Sequence, residues 1–203
     1  MSIVIGGLAE FFLYAVAAFA AQNAVFGRSL GITRLVQMVE DPDLGSVMFC
    51  VLLTLVQLLC APLCWAANMA LSGVSFRAFL RPLVFLFIAW VVAEAVGFVC
   101  RKAIKGARGE ALAAQLPAAA FNTCVLGTLL ICSVQNFNLA QCLGFALGSG
   151  VGYMASVLLV VEGQRKLSRR SVPAAFRGLP IMLIYIGILA LAVYGFTGHS
   201  LAI

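Results

Sequence analysis

The sequence predicts an all-α polytopic membrane protein, with six transmembrane helices in an inverted 3+3 repeat whose helices 1 and 4 are broken. Three observations predict it. First, 64% of the 203 residues are apolar and only 10% are charged, whereas a soluble domain is about half apolar and about a quarter charged. So few charges cannot cover a globule of this size, and the mean hydropathy is +1.10. An ordinary cytosolic enzyme, a disordered tail and a nucleic-acid module are excluded. Second, the apolar residues fall in six stretches, near 3–26, 46–71, 82–100, 114–134, 139–161 and 178–197. Each approaches the roughly 20 residues that cross a bilayer as a helix. They are continuously apolar, without the alternation of a membrane β-barrel. Third, each half of the chain carries an asparagine followed closely by glycine inside an apolar, small-residue segment: Asn23-Ala-Val-Phe-Gly27 and Asn122-Thr-Cys-Val-Leu-Gly127. With three stretches per half, the second half enters from the opposite side of the bilayer. The chain reads as one membrane domain, residues 1–203, with halves at about 1–105 and 106–203.

Taken in order, the first stretch opens on MSIVIGGLAEFFLYAV. It lacks a basic leader region and a clear cleavage site, so it reads as a span and not as a removable signal. Beyond Asn23, the run Phe26-Gly-Arg-Ser-Leu-Gly-Ile-Thr-Arg34 is either an irregular re-entrant backbone or a simple cytoplasmic loop, and Asp41 and Asp43 read as a solvated turn. The second stretch places Cys60 and Cys64 on one helix face across Pro62. Zinc and iron–sulfur sites draw on sets of about four ligands, at loops or helix ends. These two, like Cys50, Cys100, Cys132 and Cys142, therefore read as small packing residues. Seven cysteines, an odd number, also argue against a disulfide framework. The fifth stretch spaces Gly144, Gly148 and Gly152 four apart, one flat face for close helix contact. The lone His199 reads as exposed. No nucleophile triad, phosphate loop, dinucleotide fingerprint or zinc-protease motif is present.

The net charge is +6 and the isoelectric point near 9.2. In a membrane chain this reports loop topology rather than a nucleic-acid partner. The first connection holds Arg28 and Arg34. The third holds Arg101, Lys102, Lys105 and Arg108. The fifth holds Arg165, Lys166, Arg169, Arg170 and Arg177. Arg77 and Arg81 lie in the second, and the fourth connection and both tails hold none. The positive-inside bias puts the odd connections in the cytoplasm and both termini outside.

Asn23 and Asn122 are the most informative polar residues. An asparagine in an apolar span can satisfy backbone groups freed where a helix breaks, and the following glycine permits the turn. The competing reading is interhelical hydrogen bonding. Glu10 and Glu94 fall inside predicted spans. An intramembrane carboxylate is a candidate for cation binding or proton relay, with packing against a neighbouring chain as the alternative.

The C-terminal run Cys142-Leu-Gly-Phe-Ala-Leu-Gly-Ser-Gly-Val-Gly-Tyr, the basic cluster after it, Ser171-Val-Pro-Ala-Ala-Phe-Arg-Gly-Leu-Pro180 and the closing Gly195-Phe-Thr-Gly198 carry a resemblance. With Asn122–Gly127 and Asn23–Ile32, they resemble the family formed by the A-type subunits of Rnf electron-transport complexes and the E-type subunits of sodium-translocating NADH:quinone reductases. The resemblance covers nearly the whole chain and is strongest from about residue 115. It implies six spans with half-helices in spans 1 and 4, and a homologous partner of opposite topology (E-type, or D-type in the quinone reductase). It also implies one [2Fe-2S] cluster held at the midplane by two cysteines from each member of the pair, with electron transfer coupled to Na⁺ or H⁺ movement.

This chain departs from that pattern at the ligands. Where the family has Leu-Gly-x-Cys, it has Leu30-Gly-Ile-Thr33, and where the family has Asn-Cys it has Asn122-Thr123. Thr33 and Thr123 occupy the family ligand positions, and a threonine hydroxyl is a poor substitute for a thiolate. Cys124 is one residue away, turned by about 100° on a helix. The expectation is a membrane subunit, not catalytic alone, of an Rnf-like ion-translocating electron-transport complex in the bacterial inner membrane, with degenerate cluster ligation. Asn23, Gly27, Asn122 and Gly127 form the half-helix breaks, and Cys124 is the one nearby thiol that remains. The alternatives are a secondary transporter of a small solute and a non-redox assembly component.

Overall fold

A computed structural model describes residues 2–40, 46–73, 76–104, 106–168, 173 and 176–197. Asp41, Asp43, Lys105, Arg169, Arg170 and His199 lie outside them, so the expectations placed on those residues do too. The described residues form eight α-helices in order: α1 Ser2–Phe19, α2 Ile32–Glu40, α3 Ser46–Ala70, α4 Arg77–Ala103, α5 Ala107–Ala120, α6 Thr123–Val134, α7 Leu139–Ser168 and α8 Leu179–Thr197. Four of them, α3, α4, α7 and α8, are long and apolar enough to cross a membrane. The pair α5 and α6, bent by 48° at a short break, is long and apolar enough together for a fifth crossing or a re-entrant loop, while α1 is a shorter apolar helix.

The first apolar stretch differs from its expected form. It does not run as a helix to residue 26 but ends at Phe19, and residues 20–31 form an irregular segment. Residues 32–40, placed by sequence in a connection, are a helix, because Ile32, Leu35, Val36 and Met38 give it an apolar face to bury. Arg28 therefore lies in the break and Arg34 in α2, instead of both lying in a plain loop.

The bundle is organised around α7, which contacts α1, α2, α3, α6 and α8. Its 30 residues span about 45 Å at 1.5 Å per residue. Glycines set its seam with α1. A Cβ on Gly144 would meet the Phe11 backbone, one on Gly148 the Ala15 backbone, and one on Gly152 would lie 3.4 Å from the Phe19 Cα. Both helices climb in register, four residues per step, so α1 and α7 run parallel. By contrast α3 runs antiparallel to α7: Gln57 Nε2 donates to the Ala146 carbonyl (3.1 Å), and the Cys142 thiol to the Ala61 carbonyl (3.8 Å). Helix α6 also runs antiparallel to α7, with Thr128 on Ser149 at 2.9 Å. Leu35, Phe49, Leu53, Phe85, Leu116, Leu129, Phe145 and Tyr153 fill the interior between these helices. Helix α8 is largely exposed along its length, Phe196 almost wholly so.

The α1–α7 register gives position along the bundle. Phe19 stands level with Gly152, close to the middle of α7. Glu10, expected inside the first span, stands level with the beginning of α7 and accepts hydrogen bonds from Asn138 Nδ2 (2.6 Å) and Gln141 Nε2 (3.2 Å). A carboxylate there faces the amino end of a helix, where free N–H groups and the dipole favour negative charge.

Candidate functional site: the junction of two broken helices

At the first break, Asn23 does the capping. Its Oδ1 accepts from the amides of Val25 (3.0 Å) and Phe26 (3.1 Å). Its Nδ2 donates to the carbonyls of Phe19 (3.2 Å) and Gly152 (3.3 Å), and the Ser156 hydroxyl donates to the same Oδ1 (3.1 Å). The residue is 6% exposed. Backbone bonds complete the segment: Gly27 N to Asn23 O, Ser29 N to Val25 O and Leu30 N to Ala24 O, all within 3.0 Å. An irregular backbone at membrane depth survives only when its polar groups are satisfied inside protein. Here the asparagine and α7 supply the partners. Gly27 fits because a Cβ would fall 2.9 Å from the Asn23 carbonyl oxygen.

At the second break, Asn122 is the N-cap of α6, its side chain accepting from the Cys124 amide at 2.8 Å. Pro117, which lacks an amide hydrogen, weakens the last turn of α5 just before it. Gly127 serves the other break: a Cβ there would lie 2.6 Å from Leu30 Cδ1. Leu30 of the first break thus seats directly on the α6 backbone.

The two breaks meet. The Gly31 amide donates to Thr123 Oγ1 at 2.8 Å, and the Tyr153 hydroxyl donates to the Gly31 carbonyl at 3.2 Å. Gly31 has φ +75°, and a Cβ would strike the Tyr153 ring and lie 3.0 Å from Asn122 Oδ1. Glycine is needed there both for its φ and for the space. Sequence reasoning placed Leu30 and Gly31 in a run read as irregular backbone or loop but gave them no partner, and it did not single out Tyr153 or Ser156.

Beside this contact lies a cavity of about 250 Å³ lined by Gly31, Thr33, Arg34, Gln37, Asn122 and Thr123 among others. Arg34 donates to Gln37 Oε1 (3.0 Å), and its guanidinium lies 5.0 Å from the Phe49 ring centroid. The amino ends of α2 and α6 open here. Their dipoles and the guanidinium make the local potential positive, which disfavours lodging a bare cation in this cavity.

The donor set does not fit an iron–sulfur cluster. Thr33 and Thr123 are both exposed on the cavity, but they offer hydroxyls, and that of Thr123 already accepts the Gly31 amide. Cys124, the remaining thiol, is fully buried on the other side of α6. Its Sγ lies 3.9 Å from Ser149 Oγ, facing α7 and not the cavity. Among the described residues, no group of three or more His, Cys, Asp or Glu is arranged to hold a metal ion. Glu94 stands apart from the junction. It is exposed on α4, on the same outward face as Phe87, Trp90, Val91 and Phe98. A carboxylate at that depth is costly against lipid.

The hydroxyl tie is testable. Thr123→Val keeps the shape and removes the acceptor, leaving the Gly31 amide without a partner at a cost of about 1–3 kcal/mol. Thermal unfolding in detergent should show a lower midpoint for Thr123→Val and a near-normal one for Thr123→Ser. Equal midpoints would remove the hydrogen bond from the account of the junction.

Fold and site together define a multi-pass helical membrane protein in which two helix breaks dock at the middle of the longest helix. The profile described as "Rnf-Nqr subunit, membrane protein" matches residues 11–200. The chain belongs to the Rnf-Nqr family. It is 29% identical over 188 residues to the A-type subunit of the ion-translocating oxidoreductase complex of Syntrophotalea carbinolica, covering 92% of this chain and 95% of that one. To the A-type subunit of the Na⁺-translocating ferredoxin:NAD⁺ oxidoreductase complex of Acetobacterium woodii it is 25% identical over 186 residues, 92% and 96% of the two chains. To the E-type subunit of the Na⁺-translocating NADH-quinone reductase of Psychromonas ingrahamii it is 35% identical over 92 residues, 45% and 46% of the two chains.

Proposed function

We propose that this chain is the A-type membrane subunit of an Rnf-like complex that couples electron transfer to Na⁺ or H⁺ translocation. In this reading it lies in the bacterial inner membrane with both termini extracytoplasmic. It pairs with a homologous E- or D-type chain of opposite topology and supplies no thiolate to a shared cluster. The two halves of the chain are then an inverted repeat, and the cavity bearing Thr33 and Thr123 faces the partner. The observation that carries the reading is the docking of the two breaks through Gly31 and Thr123, in a chain that matches A-type subunits over nine-tenths of its length. Glu94, exposed on α4 on the face that carries Phe87, Trp90 and Phe98, is assigned to the interior of the complex, where a protein contact or the coupling ion covers its charge.

Purification through a tag on this chain tests the assembly. A homologous membrane protein should elute with it; elution alone, with ion transport retained, would favour a secondary transporter and overturn the assignment. Iron and acid-labile sulfide in the purified pair test the ligands. Both should sit at background, unchanged by Cys124→Ser, and rise in Thr33→Cys/Thr123→Cys. Full cluster iron in the unaltered pair, lost in Cys124→Ser, would overturn the ligand assignment while leaving the assembly intact. Reporter fusions at each terminus test topology, and a cytoplasmic C-terminus would refute it.

A further inference from the structure

Away from the junction, three thiols from three helices surround one small void. Cys64 of α3, Cys132 of α6 and Cys142 of α7 line a cavity of about 10 Å³, with Asn68 and Ser133 at its polar side. That is room for about one water molecule. All three cysteines are buried and none is in a disulfide. Cys132 and Cys142 come from helices joined by four residues and line this void together, Cys142 also reaches the Ala61 carbonyl (3.8 Å), and the Ser133 hydroxyl donates to Asn68 Oδ1 (2.8 Å). The cluster lies where α3 and α6 end and α7 begins. Cys132 is two residues from the end of α6 and Cys142 three from the start of α7. Between those helices Gln135, Asn136 and Asn138 are exposed.

We propose that Cys132 and Cys142 are a redox-active pair that closes to a reversible disulfide, stapling the end of α6 to the start of α7. Metal chemistry is the weaker use of these sulfurs, since the three are not disposed around a common ion. A disulfide needs only two, and Cys132 and Cys142 are the pair carried by helices joined through a four-residue turn. Forming it brings the sulfurs to about 2.05 Å, and the void beside them takes up the movement. The oxidant class is a small hydroperoxide, hydrogen peroxide being the smallest, approaching from the exposed turn at Gln135 and Asn136. One thiol sulfur attacks the peroxide, the O–O bond breaks, and water leaves a sulfenic acid. The second sulfur displaces that hydroxyl as a second water, and the S–S bond forms. Two thiols are oxidised by one electron each, and one peroxide is reduced to two waters. Helix α6 is then held at both ends, by Thr123 on Gly31 at the break and by the disulfide at the other.

The test uses the full-length protein in detergent, treated with hydrogen peroxide, quenched, denatured and alkylated. The intact mass should fall from seven alkylated cysteines to five. Peptide mapping should recover a Cys132–Cys142 bridge that dithiothreitol reverses. Cys64→Ser should still lose two thiols, whereas Cys142→Ser, or Cys142→Ala where the serine variant fails to accumulate, should lose none. Seven alkylated cysteines after peroxide would overturn the proposal. So would a bridge involving Cys64, or oxygen addition without a bridge.

Discussion

Gly148→Val is expected to remove most of the folded protein from the membrane fraction, a larger effect than any other single substitution at the helix seams. A Cβ at position 148 would sit 2.8 Å from both the Ala15 carbonyl carbon and its Cα, with the carbonyl oxygen nearer still. Those are backbone atoms of a packed helix, so no rotamer change relieves the clash. Overpacking that a side chain can absorb costs about 1–3 kcal/mol. Here α1 itself must move, and Asn23 loses its anchor on Gly152, so a cost above about 3 kcal/mol is expected. Against a total stability of about 5–15 kcal/mol, that depletes the folded population. Gly187→Val is the matched control, since nothing lies within 4 Å of a Cβ there. Detergent-soluble, monodisperse yield of the two variants is the measurement. Similar yields would mean that α1 and α7 do not pack as described.

Asn23→Ala should be the second largest effect, and it should exceed Asn122→Ala. Asn23 satisfies two amides of the first break and ties it to Gly152 and Ser156. Asn122 caps a single amide. Losing a cap costs about 0.5–2 kcal/mol, and each buried group left unpaired about 1–3. A cost of about 2–4 kcal/mol for Asn23→Ala and about 1–2 for Asn122→Ala follows. Unfolding midpoints in a fixed detergent would rank them, and the reverse order would contradict the capping account of the first break.

Much of this was legible in the residues. Continuous apolar runs located the later spans, because water and hydrocarbon sort side chains without regard to their neighbours, although α5 begins at Ala107 and α7 continues to Ser168, each seven residues beyond the apolar run. The glycine spacing at 144, 148 and 152 pointed to a close helix contact, and Asn23 and Asn122 marked both breaks. Other features were not legible. Residues 32–40 form a helix because Leu35 and Met38 find a core to enter, which their short amphipathic run did not reveal. Glu10 stands among apolar neighbours in the sequence, and only the α1–α7 register brings its carboxylate to Asn138 and Gln141 at the start of α7.

The local sequence therefore determined that this is a multi-pass helical protein with an asparagine-marked helix break in each half, since hydropathy, capping and backbone freedom act over a few residues. Tertiary structure alone decided what the interruptions do. Gly31 and Thr123 are 92 residues apart and neither signals the other. They meet because α7 holds Asn23 on one face and Tyr153 beside Asn122 on another. The same packing turns Cys124 inward and Thr33 and Thr123 outward. Direction in space depends on how each helix is rotated about its axis, and only contacts with the rest of the fold fix that rotation.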